Sequence, residues 1–376
     1  MVQDNKIAME VRYINGVIRN VRNVKRREFK PFYKALKDAD CIVLVGEGRS
    51  QSAVYIGMGQ LRKEVKTMVD IDFPGSNIEE AAPVLEQMYD NIALLVNSGS
   101  GETSTPKIVV KKLADYIERK KSDKFTINAV VSNLNSTIGK MGEKEYGNVV
   151  ELSGRDKKPE TTNGFLKHGI MNDVYELGSL LLFQKTKEAI NENKDYKTVF
   201  RKIEVESKEI GKIVNKFVSS GIYKNVIDNL ETRSQITMGG IGPARNVARM
   251  TAIRLQHVKR AIGDEAYLSG PFAPKPRAGD ILILISLSGE TETLLSWCKE
   301  QKKFGGHIYS IVGTESTLSR NSDSFVMECA PDTFYERATF ALSPLPLHLV
   351  ERLDQRGFML PGYILEWLRV QHSVLE

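Results

Sequence analysis

Short apolar runs alternate along this chain with longer stretches whose apolar residues recur at helical spacing. The runs at 41–45, 91–96, 125–131 and 148–152 are largely continuous, as are those at 234–238, 281–285, 308–312 and 324–327. Continuous apolar strands are buried on both faces, so the pattern predicts parallel sheets covered by helices. A further strand is read at 66–72. Helical periods fall between the runs, at 1–38, 51–63, 77–88, 106–117, 165–190, 196–232, 247–255 and 334–355. A last amphipathic helix is expected at 361–374, where Ile364, Leu365, Leu368 and Val374 share a side suited to packing on a neighbour. The polar stretch 189–195 divides the chain, and the elements after it repeat the order of those before it.

The repeat is sharpest in one hexapeptide. Ser98-Gly-Ser100-Gly-Glu-Thr103 follows an apolar run and precedes a helix with Pro106 near its first turn. Ser286-Leu-Ser288-Gly-Glu-Thr291 recurs in the same setting. A helix start offers free N–H groups and partial positive charge, and hydroxyls beside it suit an anion such as phosphate. A single copy reads equally well as an N-cap with spare serines. Two copies in matching context point to a duplicated domain.

Each half also carries a glycine turn after its first strand, Gly46-Glu-Gly48-Arg-Ser50 and Gly240-Ile-Gly242-Pro-Ala244. A dinucleotide fingerprint needs a third glycine where Gln51 stands, although Asp70 lies where a ribose-binding acid would. A P-loop is excluded, because no Gly-Lys-Ser/Thr follows.

Composition narrows the class without naming a chemistry. A chain of 376 residues holds two or three domains, and 41% hydrophobic with 27% charged residues is ordinary for a globular protein. The net charge of +6 is mild, and the densest basic run, 19–27, is backed by the stripe Val17, Ile18, Val21 and Val24. That run reads as the wet face of a helix, and no nucleic-acid signature accompanies it. Cys41, Cys298 and Cys329 are too scattered for a disulfide framework or a metal cluster. With no signal-peptide layout at the start and no run long enough for a membrane span, a cytoplasmic location is expected.

The glycine turn, the strand and the hydroxyl hexapeptide together resemble the sugar isomerase (SIS) domain, twice over, across most of the chain. The resemblance implies two tandem domains, each a doubly wound, flavodoxin-like α/β fold with a five-stranded parallel sheet flanked by helices. The expected layout is an N-terminal helix at 1–32, domains at 33–190 and 196–355, and a C-terminal helix at 356–376. It further implies a sugar-phosphate ligand, no cofactor, no metal, and assembly as a homodimer. By the same resemblance Gly46, Gly48, Ser50, Ser98, Ser100 and Thr103 hold the phosphate in the first half. Ser286, Ser288 and Thr291 match them in the second, where Ala244 replaces the Ser50 hydroxyl.

Within that family the likeness is to the 6-phospho-3-hexuloisomerases. Their closing helix carries a glutamate that matches Glu176, whereas Ala341 stands at the corresponding place in the second half. Their Arg-Leu-x-His segment matches Arg254-Leu-Gln-His257, and counting the same distance from Gly46 reaches Lys63. The losses are complementary, which leads to the expectation of one composite site using Glu176 as the carbon base and His257 as its helper. His168 and His348 are further candidates. Three readings stay open: a phosphosugar isomerase working through an enediol, a phosphosugar-binding regulatory protein, and an enzyme of amino-sugar phosphates or nucleotide-linked sugars.

Overall fold

Strands made almost wholly of apolar residues must be covered on both faces, and the layers follow from that constraint. The computed structural model describes residues 12–68, 77–154 and 174–358. The proposed C-terminal helix at 361–374, His168, Asp70 and the start of the 165–190 helix lie outside the described residues.

Among those described, one unit takes 15–154 and 174–206, and the other takes 12–14 and 207–358. The first unit holds helices α1 (Arg12–Arg22) and α2 (Arg26–Asp38), then strand β1 (Cys41–Gly46). Helix α3 (Gly48–Met58), β2 (Glu64–Thr67), α4 (Ile78–Met88) and β3 (Ile92–Asn97) follow. After these come α5 (Ser104–Lys120), β4 (Phe125–Val131), α6 (Thr137–Gly142), β5 (Gly147–Glu151) and α7 (Val174–Asn191). Helix α8 (Tyr196–Val218) leads to α9 (Gly221–Leu230), β6 (Ile236–Gly239), α10 (Pro243–Ala261) and β7 (Ala266–Leu268). The second unit continues with β8 (Ile281–Ser286), α11 (Glu292–Lys303), β9 (His307–Val312), α12 (Thr317–Arg320) and β10 (Asp323–Val326). It closes with α13 (Phe334–Leu342) and α14 (Pro344–Gln355).

Both sheets are five-stranded and parallel throughout. Their orders, β2-β1-β3-β4-β5 and β10-β9-β8-β6-β7, are one topology read from opposite edges. The central strands β1, β3 and β8 are buried at every position. Their side chains pack with α4 and α5 in the first unit and α11 in the second. Strand β7 escaped the sequence reading because three residues at a sheet edge carry little periodic signal.

Two expected helices are each broken. In the first, the buried stripe of Val17, Val21 and Val24 resumes at Phe29, not at 28. That slip of one residue would turn Phe29 about 100° away on a continuous helix. Lys25 adopts an extended conformation there, and both stripes are buried. The second break comes at Pro344, which cannot donate to the preceding turn and instead opens α14 at its first position. The basic run at 19–27 is exposed at Arg19, Arg22, Lys25, Arg26 and Arg27.

Two lysines mark how the halves correspond. Lys259 is fully buried, and its ammonium donates to the carbonyls of Leu230 and Thr232 at 3.0 and 2.7 Å, at and just past the end of α9. Asp264 lies 3.2 Å from it. Lys63 does the same for α2, donating to Lys37 and Ala39. Burial lowers the proton affinity of both. Lys63 is thus the counterpart of Lys259, not of His257. Helix α3 stops at Met58 while α10 runs to Ala261, so equal counts from the glycine turn do not reach equal places.

Replacing Lys259 with Met leaves two carbonyls and Asp264 without their donor. It should cost about 2–4 kcal/mol in urea unfolding of the full chain. Lys63→Met should cost less, because that side chain is only half-buried.

Candidate phosphosugar site

The sites form at the carboxyl ends of the strands, where a buried parallel sheet gives way to loops. In the first unit β1 ends at Gly46, where an added Cβ would stand 2.8 Å from the backbone of Gln51. Gly48 follows with a φ of +56°, a conformation that suits glycine. This tight turn starts α3 with Arg49 and Ser50 in its first turn, both buried. In the second unit a Cβ added at Gly240 would stand 2.5 Å from the backbone of Ala244, and Gly242 takes a φ of +60°.

The two hydroxyl loops correspond bond by bond. Ser98 Oγ accepts from Gly101 N at 3.2 Å, as Ser286 Oγ does from Gly289 N at 3.0 Å. Ser100 Oγ accepts from Glu102 N at 3.1 Å, and Ser288 Oγ from Glu290 N at 3.2 Å. Main-chain bonds pin each loop to the next strand, from Ser132 N to Gly99 O and from Gly313 N to Leu287 O, both 3.0 Å. Gly101 and Gly289 have φ near +65°, and a Cβ on either would stand 1.9 Å from a serine hydroxyl, Ser136 or Ser316. Thr103 Oγ1 lies 3.3 Å from the hydroxyls of both Ser98 and Ser100, so the three oxygens of the first unit form one cluster. Ser98 is buried, while Ser100 and Thr103 are partly open.

The glutamate of each hexapeptide has a structural task that the sequence reading did not assign. Glu102 Oε1 accepts from Thr137 N at 2.6 Å, and Glu290 Oε1 accepts from Thr317 N at the same distance. Each carboxylate thereby ties its hydroxyl loop to the start of a short helix. These amide bonds hold both carboxyls below their ordinary value of 4.5.

Behind the first loop lies a buried hub. Asn97 is fully buried and donates to Ser50 O at 2.8 Å and to Ser179 Oγ at 3.0 Å. It accepts from the Tyr175 hydroxyl at 2.8 Å, and that hydroxyl also meets Val130 O at 2.7 Å. The hub fixes the glycine turn, the hydroxyl loop and α7 against one another. Glu176 sits between these anchors, 3% exposed in its side chain, with Arg49 Nη2 3.5 Å from its Oε2 and only 4% exposed. Opposite charge offsets the desolvation of each group. Arg49 and Asn97 were legible only as a polar residue after a glycine turn and one before the motif, which is too little to assign them.

In the second unit the place of Asn97 is taken by buried Ile285, and Tyr335 and Glu336 open α13 as Tyr175 and Glu176 open α7. His257 lies on α10, half-buried, in the second unit. His348 is buried with its Nδ1 2.5 Å from the Tyr223 hydroxyl, a packing role between α9 and α14. Glu336 on α13 is fully buried, a carboxylate the sequence reading did not single out. Among the described residues no group of His, Cys, Asp and Glu could hold a metal ion, and no helix is long and apolar enough to cross a membrane.

Each half has the fold of SIS-domain proteins, a five-stranded parallel sheet flanked by helices. No protein-family model matches the chain. Among characterised proteins it resembles the 3-hexulose-6-phosphate isomerase of Methanocaldococcus jannaschii, 34% identical over 105 residues, which are 27% of this chain and 56% of that protein. An arabinose 5-phosphate isomerase of Escherichia coli is 28% identical over 122 residues, 30% of this chain and 36% of its own length. The chain thus spans about half the length of the first relative and a third of the second. Among solved structures, a tagatose-6-phosphate ketose/aldose isomerase from Escherichia coli shares the fold over 93% of both chains, with a TM-score of 0.60 at 12% identity.

The carboxylate ties should be visible in acid. Because folding depresses both carboxyls, their stabilisation is complete above 4.5 and is lost as pH falls through the depressed folded values. The double variant Glu102→Gln, Glu290→Gln should therefore show a flatter fall in melting temperature between pH 6 and pH 3, on the order of a few degrees, followed by calorimetry.

Proposed function

We propose that this chain isomerises a sugar phosphate, holding the phosphate in the first unit's hydroxyl loop and moving a proton with Glu176. The observation that carries the reading is the hub at Asn97. Within one unit it joins a three-hydroxyl cluster at a helix start to the helix bearing a buried carboxylate. The two named relatives act on a hexulose phosphate and a pentose phosphate, which supports a ligand of that class.

In the proposed reaction Ser98, Ser100 and Thr103 bind and orient the phosphate, with Ser50 at the edge of the turn. The Glu176 carboxylate takes the proton from the carbon beside the carbonyl, giving an enediol, and returns it to the neighbouring carbon. The net change is a proton moved between carbons and another between oxygens, with no electron acceptor required. Arg49 holds the buried carboxylate in place. His257 is the second proposed proton-handling group, on the strength of its sequence match.

The substrate is sought by thermal shift of the full chain with arabinose 5-phosphate and hexulose 6-phosphates, since a specific ligand raises the melting point by mass action. Ser100→Ala with Thr103→Ala removes two hydrogen bonds to a charged group and should weaken binding by about 3 kcal/mol. Titration calorimetry measures it, and unchanged affinity would remove the phosphate assignment.

Glu176→Gln keeps the shape but not the basicity, and should lower turnover by about 10²–10⁴-fold with binding spared. Steady-state kinetics of Glu176→Gln and His257→Ala check both roles. Turnover close to the parent's in Glu176→Gln, with binding intact, would remove Glu176 as the carbon base.

A further inference from the structure

The first unit already holds an anion at the start of α5, and it belongs to the protein. Glu47 lies between the two glycines of the turn and occupies the N-cap position of α3, yet its side chain does not cap that helix. Its Oε2 accepts instead from Thr105 N at 3.3 Å, in the first turn of α5, directly after Thr103. Thr103 caps α5 through its backbone alone, so the first-turn amides of this helix are otherwise open to an acceptor. A carboxylate on one of them draws on the same amide direction and the same positive helix end that a bound phosphate would use.

The second unit supplies the comparison. Its hydroxyl loop makes the same bonds, from Gly289 N to Ser286 Oγ and from Glu290 N to Ser288 Oγ. Its glycine turn has the same tight approach at Gly240 and the same positive φ at Gly242. Between those glycines stands Ile241, 45% exposed, where the first unit has Glu47. The glycine turn of the first unit therefore brings a carboxylate onto the neighbouring helix start, and that of the second brings none; the acid in the first turn of α11, Glu292, belongs to the helix itself.

We propose that Glu47 is a resident competitor for the phosphate site of the first unit, setting its affinity by occupying the helix start until phosphate displaces it. The proposal rests on the phosphate reading of the Ser98–Thr103 loop. Displacement swings the carboxylate away from Thr105 and exchanges one charge-assisted hydrogen bond for those of the phosphate. The site is thereby kept from filling with ordinary inorganic anions. A sugar phosphate overcomes the competitor because its sugar adds contacts that a bare ion lacks.

The test uses the full chain carrying Ser288→Ala and Thr291→Ala, which silences the second unit's loop, and inorganic phosphate as the probe in titration calorimetry. In that background Glu47→Gln should tighten phosphate binding about five- to twentyfold, because the amide oxygen is a neutral and weaker acceptor. Its melting temperature without phosphate should fall by about a degree or two, as an anion leaves a helix start. In the otherwise natural chain Ile241→Glu should weaken the second unit's share of phosphate binding. If Glu47→Gln binds phosphate as the parent does, while Ser100→Ala with Thr103→Ala abolishes binding, the competitor is refuted and the phosphate site stands. If neither the parent nor Glu47→Gln binds phosphate or arabinose 5-phosphate, the phosphate reading fails and takes this proposal with it.

Discussion

Every feature of the candidate sites depends on how a buried parallel strand ends. Strand β3 is apolar and covered on both faces, so its last peptide groups need partners where the sheet stops. The hydroxyl loop supplies them. Ser98 N bonds to Val130 O, Gly99 O accepts from Ser132, and the loop closes on itself through Ser98 Oγ and Gly101 N. A left-handed glycine lets the chain lie against Ser136, and Glu102 then ties the loop to α6. The serines and threonine thus come to the surface in a fixed constellation because the backbone beneath them is pinned at Ser98, Gly99 and Gly101.

The halves share this frame and differ in what they hang on it. Asn97 in the first unit corresponds to Ile285 in the second, while each unit keeps a buried glutamate in the first turn of a helix, Glu176 on α7 and Glu336 on α13. Losing one member of a hydrogen-bonded pair strands a buried polar group, while exchanging both for apolar side chains of similar shape is close to neutral. The first unit keeps the hub, and with it the buried ion pair of Arg49 and Glu176. A buried pair of charges is a poor way to gain stability. Its presence beside the hydroxyl loop fits a role in chemistry better than one in stability.

Much of the fold was legible in the sequence, because continuous apolar runs and repeated loop motifs are local signals. The first five positions of β1 and of β8, and both hexapeptides, were readable from composition and order alone. Helix breaks at Lys25 and Pro344 were less so, since one depends on a stripe slipping by a residue and the other on a proline inside a plausible helix. Strand β7 was missed for its shortness. The hydroxyl positions of the sites could be named in advance, but Arg49, Asn97 and Glu47 could not. Their partners are Glu176, Tyr175 with Ser179, and Thr105, all distant along the chain, and only folding reveals such pairs. Counting from the glycine turn also misaligned Lys63 with His257, because the following helices differ in length.

The two helix-capping lysines have a consequence for covalent labelling. An amine reacts with acylating reagents only in its uncharged form and only where the reagent can reach it. Burial favours the uncharged form of Lys259 yet leaves the side chain wholly inaccessible. Acylation of Lys259 therefore requires that the end of α9 first come away from α10. Mass spectrometry of a reagent-treated sample would turn that one residue into a clock, counting how often this corner of the protein opens while the rest of the chain stays folded.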